Sequence, residues 1–498
     1  MFPTNASTLM SYDNTAGAVT VALDRVLKEG ILPTGTNFTQ ILNNLRKFCK
    51  MYKICGNLAL VLKKLFFRII WRYEECTEST ATGYSFDLIR DQHVDVLFAP
   101  PCIDGALLAG HVGTYYNIPV LLWGQTFDSE FANADVYPTV MSAVSNYEDM
   151  GSVICTLLTY YHWDSYALIY QFNEDGTCYS FQQDMEAVSQ NREDCTIAYK
   201  EPVDSWEEDD IQYTLEMIKA TSRIIVMCFD DVVQQRMFAL KLVDAHLDTE
   251  EFVYILPYTD MKMSLGVIDD PFWIDRNKDK DGRDDDAKVI GVRSLVVSIS
   301  VDATSDLRDV FTNFSDEVMA HMSMWPFYCA ECDRGQGASP YAATLYDATY
   351  IYGLALSRII NATGINPATY RDGELLSKSS NVEFEGMSGT VTIGDDGVRN
   401  SIYFIYCFEN DGSLMEYLSL AVNDNGVQNA TPLYTDAATT IWASRGGMQP
   451  LSTPLCGFDG KSCPIDFFAM YLGYFIAAIF VGMAIIVGSI YGTYYIFR

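Results

Sequence analysis

Positive charge is scarce in this 498-residue chain. Lysine and arginine together number 33, against 65 aspartates and glutamates, which gives a formal net charge of −32. A nucleic-acid-binding protein needs a basic face for the phosphate backbone, so this balance argues against a nucleic-acid partner. An acidic surface suits a soluble, self-repelling domain, and a basic ligand is the alternative reason for it.

Common catalytic and metal-binding signatures are also missing. The sequence contains no G-x-S-x-G, H-E-x-x-H, G-x-x-x-x-G-K-[ST] or G-x-G-x-x-G motif. Residues 277–282 imitate the opening of a calcium loop, but its twelfth position is Lys288 rather than the required glutamate. We therefore expect a solvated surface loop there, and no catalytic residue, cofactor or metal in this chain.

A leader sequence is absent as well. Met1 is followed at once by Phe2-Pro3-Thr4-Asn5, without the basic and apolar regions of a signal peptide. The topology argued below requires such a peptide. The expectation is therefore that the chain lacks its true start.

One long apolar run is present near the C-terminus. Residues 467–497 contain no charged side chain over 31 positions. About 20 apolar residues in a helix cross the ~30 Å hydrocarbon core of a bilayer. The run predicts a membrane helix over 467–491 with a cytoplasmic stub at 492–498, and a buried core helix is the alternative.

Two features place the large part of the chain outside the cell. Thirteen cysteines suit an oxidising compartment. Asn-x-Ser/Thr sequons, which imply exposed loops in a secreted context, occur at five positions. These predicted glycosylation sites are Asn5, Asn37, Asn313, Asn361 and Asn429. We expect a single-pass type I protein of the plasma membrane with its N-terminal region extracellular.

Strand and helix patterns alternate along the first 260 residues, which predicts βαβ units and parallel sheets. Two such series, separated near 139–145, suggest two similar lobes. The predicted strands are 94–99, 118–124, 166–170, 223–229 and 252–256, and the predicted helices are 16–27, 148–161, 181–188, 209–220, 231–245 and 339–359. A hairpin of 389–393 with 401–407 is predicted around Gly394-Asp395-Asp396-Gly397.

Residues 40–73 do not fit this pattern, because they carry eight basic residues and no acid up to Tyr73. A basic arm on a membrane surface and a long loop are two interpretations. The third, which we favour, is a segment foreign to the fold, since a structureless insert of this length is unusual inside a compact domain.

Several motifs, in this order and spacing, resemble the extracellular region and membrane span of receptor guanylate cyclases. That group includes the natriuretic peptide receptors, and its nematode branch is the most similar. The motifs are Phe2-Pro3-Thr4-Asn5, Cys76 with Cys102, residues 281–288, Ala338-Ser339-Pro340-Tyr341-Ala342, residues 346–350, residues 384–389 and Cys456-Gly457-Phe458-Asp459.

The resemblance implies a bilobal periplasmic-binding-protein type I fold, an α/β architecture of two doubly wound parallel sheets. The end of the first strand, Met1-Phe2-Pro3, is then expected inside lobe 1. The expected domains are lobe 1 at 1–140 (with 40–73 as the insert) and 296–385, lobe 2 at 141–295 and 386–445, and a juxtamembrane segment at 446–466.

The resemblance also suggests disulfides. It implies the pairs Cys76–Cys102, Cys178–Cys228 and Cys456–Cys463. Cys329 and Cys332 form C-x-x-C, for which a local disulfide is favoured over zinc because no second pair of ligands is evident. Cys155 and Cys407 lie in apolar segments and are expected to be buried thiols. The pairing of Cys49, Cys55, Cys155, Cys195 and Cys407 stays open.

The remaining candidate site is the cleft between the lobes, because open α/β sheets bind ligands beyond the carboxyl ends of their strands. The candidates are Pro101, Cys102, Gly124, Gln125, Thr126, Gln171, Tyr258 and Asp260. Peptide-binding relatives bind between two protomers instead, and that alternative stays open. The chloride site of natriuretic peptide receptors is not expected, because Pro101 has no N–H to donate.

The sequence thus predicts the ligand-sensing region of a receptor guanylate cyclase, without the cyclase. We expect it to act as a homodimer that binds a peptide or small molecule outside the cell and passes a shift to the membrane helix. The alternatives are a decoy or clearance receptor, the ligand-binding region of another receptor class, and a secreted enzyme.

Overall fold

The structure is a computed structural model of the whole chain. It describes residues 1–3, 9–32, 68–173, 176–258, 271–299, 305–329, 331–332, 335, 337–364, 366, 368–463 and 467–497. Two separate sheets organise these residues, and helices pack on both.

The first sheet is parallel and defines lobe 1. Its strands are β1 (Leu97–Phe98), β2 (Val120–Leu122) and β3 (Val140–Ser142), in that order. The start of the chain extends this sheet, since the Met1 amino group donates to the Phe98 carbonyl at 3.2 Å and Phe2 forms a parallel bridge with Tyr73. Met1-Phe2-Pro3 therefore lies inside lobe 1, as the resemblance implied.

The second sheet is larger and defines lobe 2. Its strands are β4 (Ser165–Gln171), β5 (Thr196–Val203), β6 (Ile224–Cys228), β7 (Val253–Pro257), β8 (Ser294–Ile299), β12 (Ile402–Phe408), β13 (Leu414–Asn423), β14 (Gly426–Val427) and β15 (Thr431–Pro432). Their order in the sheet is β14-β13-β12-β8-β7-β6-β4-β5, with β15 paired to β13. Neighbouring strands from β8 to β5 run parallel, whereas β12 pairs antiparallel with both β8 and β13.

A small antiparallel sheet is formed by residues that lie between β8 and β12 in the sequence. It consists of β9 (Glu383–Gly386), β10 (Gly389–Ile393) and β11 (Arg399–Asn400). The predicted hairpin is therefore wrong in its second arm. β10 turns back onto β11, while the apolar run of β12 joins the larger sheet because it can pair with β8 and β13 on its two edges.

Helices cover the sheets. In lobe 1, α2 packs against α10 and α11, and α11 also contacts β2. Helix α2 ends where predicted, because Gly30 adopts a left-handed conformation with φ 66°. The helices are α1 (Tyr12–Thr15), α2 (Gly17–Glu29), α3 (Glu78–Phe86), α4 (Ile103–Tyr116), α5 (Tyr147–Tyr160), α6 (Thr177–Gln190), α7 (Glu208–Thr221), α8 (Val232–Asp244), α9 (Asp284–Val292), α10 (Ser305–Met322), α11 (Tyr341–Thr363), α12 (Gly373–Lys378) and α13 (Phe467–Ile496).

The C-terminal helix α13 stands apart from the packed lobes. Its most apolar part, Met470–Ile496, is 27 residues long, has a mean hydropathy of 2.3 and is not buried against the described protein. A core helix would be mostly buried, so that alternative is contradicted. Length and composition fit a membrane span.

The end of the basic segment belongs to lobe 1. The Phe2 amide donates to the Arg72 carbonyl at 3.1 Å, and the Arg72 guanidinium donates to the Asp87 carboxylate. The Trp71 ring stacks on Tyr12. Residues 68–73 are thus part of the fold, which corrects their assignment to the insert, while 40–67 lie outside the described residues.

Five disulfides join the described cysteines. The pairs are Cys76–Cys102, Cys155–Cys195, Cys178–Cys228, Cys329–Cys332 and Cys456–Cys463. The expectation of a free thiol at Cys155 was wrong, because the buried face of α5 lies against the start of β5, where Cys195 is found. Cys407 is a buried free thiol, as expected.

Candidate functional site

The lobe 1 candidates lie together at the carboxyl ends of β1 and β2. Cys102 forms a parallel bridge with Gln125. Gly124 packs so closely on Pro101 that an added Cβ would lie 2.4 Å from the Pro101 carbonyl oxygen. A side chain at this position would push the two loops apart. These four candidates at the strand ends, Pro101, Cys102, Gly124 and Gln125, therefore form one compact group. Thr126, the next residue along the chain, is buried.

The lobe 2 candidates lie at the corresponding ends of β4 and β7. Gln171 Oε1 accepts a hydrogen bond from the Asp231 amide at 3.0 Å, which ties the end of β4 to the start of α8. The Tyr258 amide donates to the Val297 carbonyl at 2.9 Å. These contacts lie within lobe 2, and Asp260 falls outside the described residues.

The loop after β2 belongs to lobe 1 and contacts lobe 2. The Phe127 carbonyl accepts from the Tyr147 amide at 2.8 Å, and the Phe127 and Tyr147 rings lie 5.4 Å apart. Ser129 Oγ donates to Asp184 Oδ1 on α6 at 2.5 Å. Residues 127–129 of lobe 1 therefore rest on the first residue of α5 and on the middle of α6 in lobe 2.

Four carboxyl groups surround this contact, and sequence reasoning missed them. Asp128 lies in the loop, Asp149 in the first turn of α5, Asp184 on α6 and Asp230 directly after β6. Asp230 accepts from Thr177 Oγ1 at 2.5 Å and from the Cys178 amide at 3.2 Å. Asp184 Oδ2 is buried and accepts no hydrogen bond.

Electrostatics at the contact are unfavourable to further negative charge. Burial, together with the negative charges of Asp396, Glu148 and Asp184, raises the pKa of Asp149 to about 7. Burial likewise raises the pKa of Asp184 to about 7, assisted by Asp128 and Glu148 and opposed by the Ser129 hydrogen bond. These carboxylates act on one another, and within the described part of the chain the main causes of the two shifts include no lysine or arginine.

Such an arrangement favours a cation. A positive group at the contact would relieve the repulsion and hold the carboxyls ionised at neutral pH. Clusters of carboxyls with shifted pKa values are typical of functional sites. One sequence signal was available, since Asp128 follows the predicted strand 118–124 by four residues.

A buried polar network fixes the backbone beside the lobe boundary. The carboxylate of Asp347, on α11, accepts from the Met387 amide at 2.8 Å and from the Ser388 amide at 3.0 Å. Ser388 Oγ donates to the same carboxylate and accepts from Arg399 Nη1 at 2.6 Å. Arg399 Nη1 also donates to the Ala143 carbonyl at 3.3 Å, at the passage from β3 to lobe 2.

This network explains one motif of the resemblance. A Cβ on Gly386 would lie 2.4 Å from the Asp347 carboxylate, and Gly389 has φ 92°. Glycine is therefore required on both sides of Met387-Ser388. The motif holds the chain where it passes between the lobes.

The aspartate-rich loop serves a structural purpose. Its carboxylates Asp281 and Asp284 accept from the Arg236 guanidinium at 2.6–2.8 Å, and Arg236 Nε donates to the Trp273 carbonyl at 2.9 Å. Arg236 lowers the pKa of Asp281. The loop is thereby fastened to α8, which accounts for its acidic residues.

Lobe 1 also contains an apolar cavity of about 700 Å³. Its lining includes Leu32 and Arg68, the residues that border the undescribed range 33–67. Part of its wall therefore lies outside the described residues, and we assign no ligand to it.

Residues 445–450, which follow the last strand of lobe 2, are hydrogen-bonded to that lobe. Trp163 Nε1 donates to the Pro450 carbonyl at 2.8 Å, and Gln449 Nε2 donates to the Tyr161 carbonyl at 2.5 Å. Buried Arg445 donates to the Phe252 and Arg293 carbonyls at 3.0 and 2.5 Å. Movement of lobe 2 must therefore carry residues 445–452 with it.

Comparison with known proteins agrees with this architecture. A family model described as "Receptor family ligand binding region" matches residues 57–410. Among curated proteins, the chain is 27% identical to receptor-type guanylate cyclase gcy-13 of Caenorhabditis elegans over 93% of the chain and 42% of that protein. It is 30% identical to gcy-14 of the same organism (85% and 38%) and 29% identical to gcy-4 of Caenorhabditis briggsae (83% and 38%).

The chain spans about two fifths of the length of these relatives. Among solved structures, an ABC transporter solute-binding protein from R. palustris in complex with benzoate is similar to this chain. The match covers 72% of this chain and 85% of the solute-binding protein. The TM-score is 0.43 at 13% identity, so we draw no argument from it.

Proposed function

This chain belongs to the receptor family of ligand-binding regions, and from that premise we propose that it is the extracellular sensing region of a single-pass receptor guanylate cyclase. Its similarity to receptor-type guanylate cyclases of nematodes, over most of its length, supports this assignment. Cyclase activity would belong to the remainder of such a protein, because the chain spans about two fifths of its relatives.

We propose that the ligand binds between the lobes, where the loop 127–129 meets α5 and α6. The observation that carries this proposal is the uncompensated set of carboxyls at that contact, Asp128, Asp149, Asp184 and Asp230. A ligand with an ammonium or guanidinium group would neutralise them and draw the lobes together. The ligand is a peptide or small molecule that carries such a group.

Signal transmission would follow from the attachment of lobe 2 to the juxtamembrane segment. A ligand shifts an equilibrium only by its differential affinity for the two states. The carboxyls offer that difference, because Asp128 of lobe 1 meets Asp149, Asp184 and Asp230 of lobe 2 only when the lobes are in contact. Lobe 2 would then move residues 445–452, and through them α13, within a homodimer in the plasma membrane.

The cationic specificity can be tested with simple probes. Full chain in lipid nanodiscs is heated in the presence of n-butylammonium or, as a matched neutral control, n-butanol. We expect n-butylammonium alone to raise the melting temperature, because it supplies the missing counter-charge.

The double variant Asp128→Asn/Asp184→Asn should lose this effect. Asp279→Asn, in an exposed loop, serves as the control that removes a charge elsewhere. Equal stabilisation by the alcohol, or an undiminished effect in the double variant, would contradict a cation site at the lobe contact.

A further inference from the structure

The last loop before the membrane helix presents apolar side chains to the outside. Met448 and Leu455 are each 70% exposed and Leu451 is 49% exposed. The same loop is held on lobe 2 by hydrogen bonds to the Pro450 carbonyl and from Ser452 Oγ, at 2.8 and 3.0 Å. Its polar contacts thus face the protein, while three large apolar side chains within eight residues face away from it.

This loop is also uncharged. Residues 446–458 contain no aspartate, glutamate, lysine or arginine, in a chain of which 20% is charged. A loop in water normally carries such residues, whereas charged side chains are costly where a segment inserts among the acyl chains. Exposure and composition therefore both indicate a lipid environment.

A short tether keeps the loop close to the start of the membrane helix. The Cα atoms of Cys456 and Cys463 lie 3.7 Å apart, because a disulfide joins them. Three residues separate Cys463 from Phe467. Since an extended chain covers at most about 3.5 Å per residue, Leu455 lies within roughly 22 Å of the first residue of α13.

We propose that residues 446–458, the docking loop, rest on the outer leaflet of the bilayer, with Met448, Leu451 and Leu455 at the boundary of headgroups and acyl chains. The partner is an uncharged lipid surface such as phosphatidylcholine, because a protein with a net charge of −32 is repelled by anionic lipid. The inference rests on the proposed membrane span of α13. Docking keeps lobe 2 at the membrane surface, where its movement reaches α13 directly.

Depth-dependent fluorescence quenching tests this proposal. Leu451→Cys, Ile486→Cys and Tyr115→Cys are each labelled with the fluorophore NBD, in full chain reconstituted into phosphatidylcholine nanodiscs. All variants carry Cys49→Ser and Cys55→Ser, because the pairing of these two cysteines is open, and the buried Cys407 should stay unlabelled. The quencher is a doxyl group on lipid, placed either near the headgroup or near the end of the acyl chain.

We expect the shallow quencher to lower the emission of the Leu451 label and the deep quencher that of the Ile486 label. Tyr115, which is 80% exposed on lobe 1, should respond to neither. If Ile486 is quenched and Leu451 is not, docking is overturned while the span stands. If Ile486 is not quenched, the membrane span of the proposed function fails, and docking fails with it.

A second comparison separates docking from mere proximity. The label is moved to Thr453→Cys, and Met448→Ser/Leu455→Ser is added. We expect a loss of shallow quenching, because the apolar contacts that hold the loop at the lipid are removed. Unchanged quenching, with unchanged tryptophan emission as evidence of an intact fold, would overturn the role of these side chains.

Discussion

At the scale of single residues, the positions that tolerate substitution least are those of buried polar groups. Asp347 and Arg399 are both almost fully buried and are bridged by Ser388. Burial raises the pKa of Asp347 and lowers that of Arg399, and each opposes the effect of burial on the other. Removing one partner would leave the other charged group in an apolar site without compensation.

Arg399→Met should therefore be strongly destabilising. We expect a loss of about 3–5 kcal/mol in the free energy of unfolding, the usual cost of stranding one buried charge. Urea denaturation followed by tryptophan fluorescence measures it. The double variant Asp347→Asn/Arg399→Met should lose less than the single one, and a larger loss would show that the coupling is absent.

The carboxyls at the lobe contact should make stability depend on pH. Asp149 and Asp184 have pKa values of about 7 in the folded protein, against 3.8 for an ordinary aspartate. Their ionised forms therefore oppose folding above pH 7, and this penalty is relieved as the pH falls from about 7 to about 4. Asp149→Asn/Asp184→Asn removes the penalty at any pH.

At pH 8 this variant should melt at a higher temperature than the parent, by about 2–4 °C for each kcal/mol relieved. At pH 5 the advantage should shrink to less than half of that, and below pH 4 the two should melt close together. Differential scanning fluorimetry measures both, with the exposed Asp279→Asn as control. An advantage of the same size at both pH values would argue against the shifted carboxyls.

At the scale of elements, sequence patterns identified most helices and parallel strands but not their partners. The end of α2 at Gly30 was predictable, because a left-handed residue is a local requirement. The partner of β12 was not, because an apolar strand pairs equally well in a hairpin or inside a sheet. The Cys155–Cys195 disulfide escaped prediction for the same reason, since the two residues meet only after α5 and β5 have packed.

The candidate site shows the same division. The strand-end rule predicted the loop that begins at Gly124, because that rule depends on topology alone. It could not predict Asp149 and Asp184, since their approach depends on how α5 and α6 pack on each other within lobe 2 and on the lobe 1 loop that meets them. Residues brought together by long-range packing leave no pattern in sequence spacing.

Glycines of α13 offer a surface for a partner helix. An added Cβ at Gly482, Gly488 or Gly492 would meet no other atom within 4 Å. Small residues four apart allow two membrane helices to approach closely. We expect Gly488→Ile/Gly492→Ile to weaken homodimers in lipid vesicles, measured as energy transfer between labelled chains.

A change on an adjacent face of the same helix provides the control. Val487→Leu should leave the energy transfer unchanged, because it adds bulk away from the glycines. Equal loss in both variants would speak against a glycine-lined contact.

At the scale of the whole molecule, the proposed extracellular orientation of the lobes predicts that they carry N-glycans. The sequon residues Asn313, Asn361 and Asn429 are exposed, whereas Asn5 and Asn37 lie outside the described residues. If the lobes face the secretory lumen, these side chains are accessible to glycan addition. In animal cells, we expect each Asn→Gln substitution at the three exposed sites to lower the mass of the protein by that of one N-glycan.

Enzymatic removal of N-glycans from the parent protein is the reference for this experiment, read by gel mobility or mass spectrometry. A parent protein whose mass is unaffected by that treatment would contradict the extracellular orientation.

As far as the structure describes the chain, it crosses between the sheets of lobe 1 and lobe 2 three times, after β3, after β8 and before β12. Neither half is therefore encoded by one continuous stretch. Genetic exchange of one half between relatives requires several matched junctions, and a single recombination event would combine mismatched surfaces in both. For the same reason, one proteolytic nick at a crossing leaves the halves joined by the other two. Inheritance of this sensor as an intact unit is thus imposed by its connectivity.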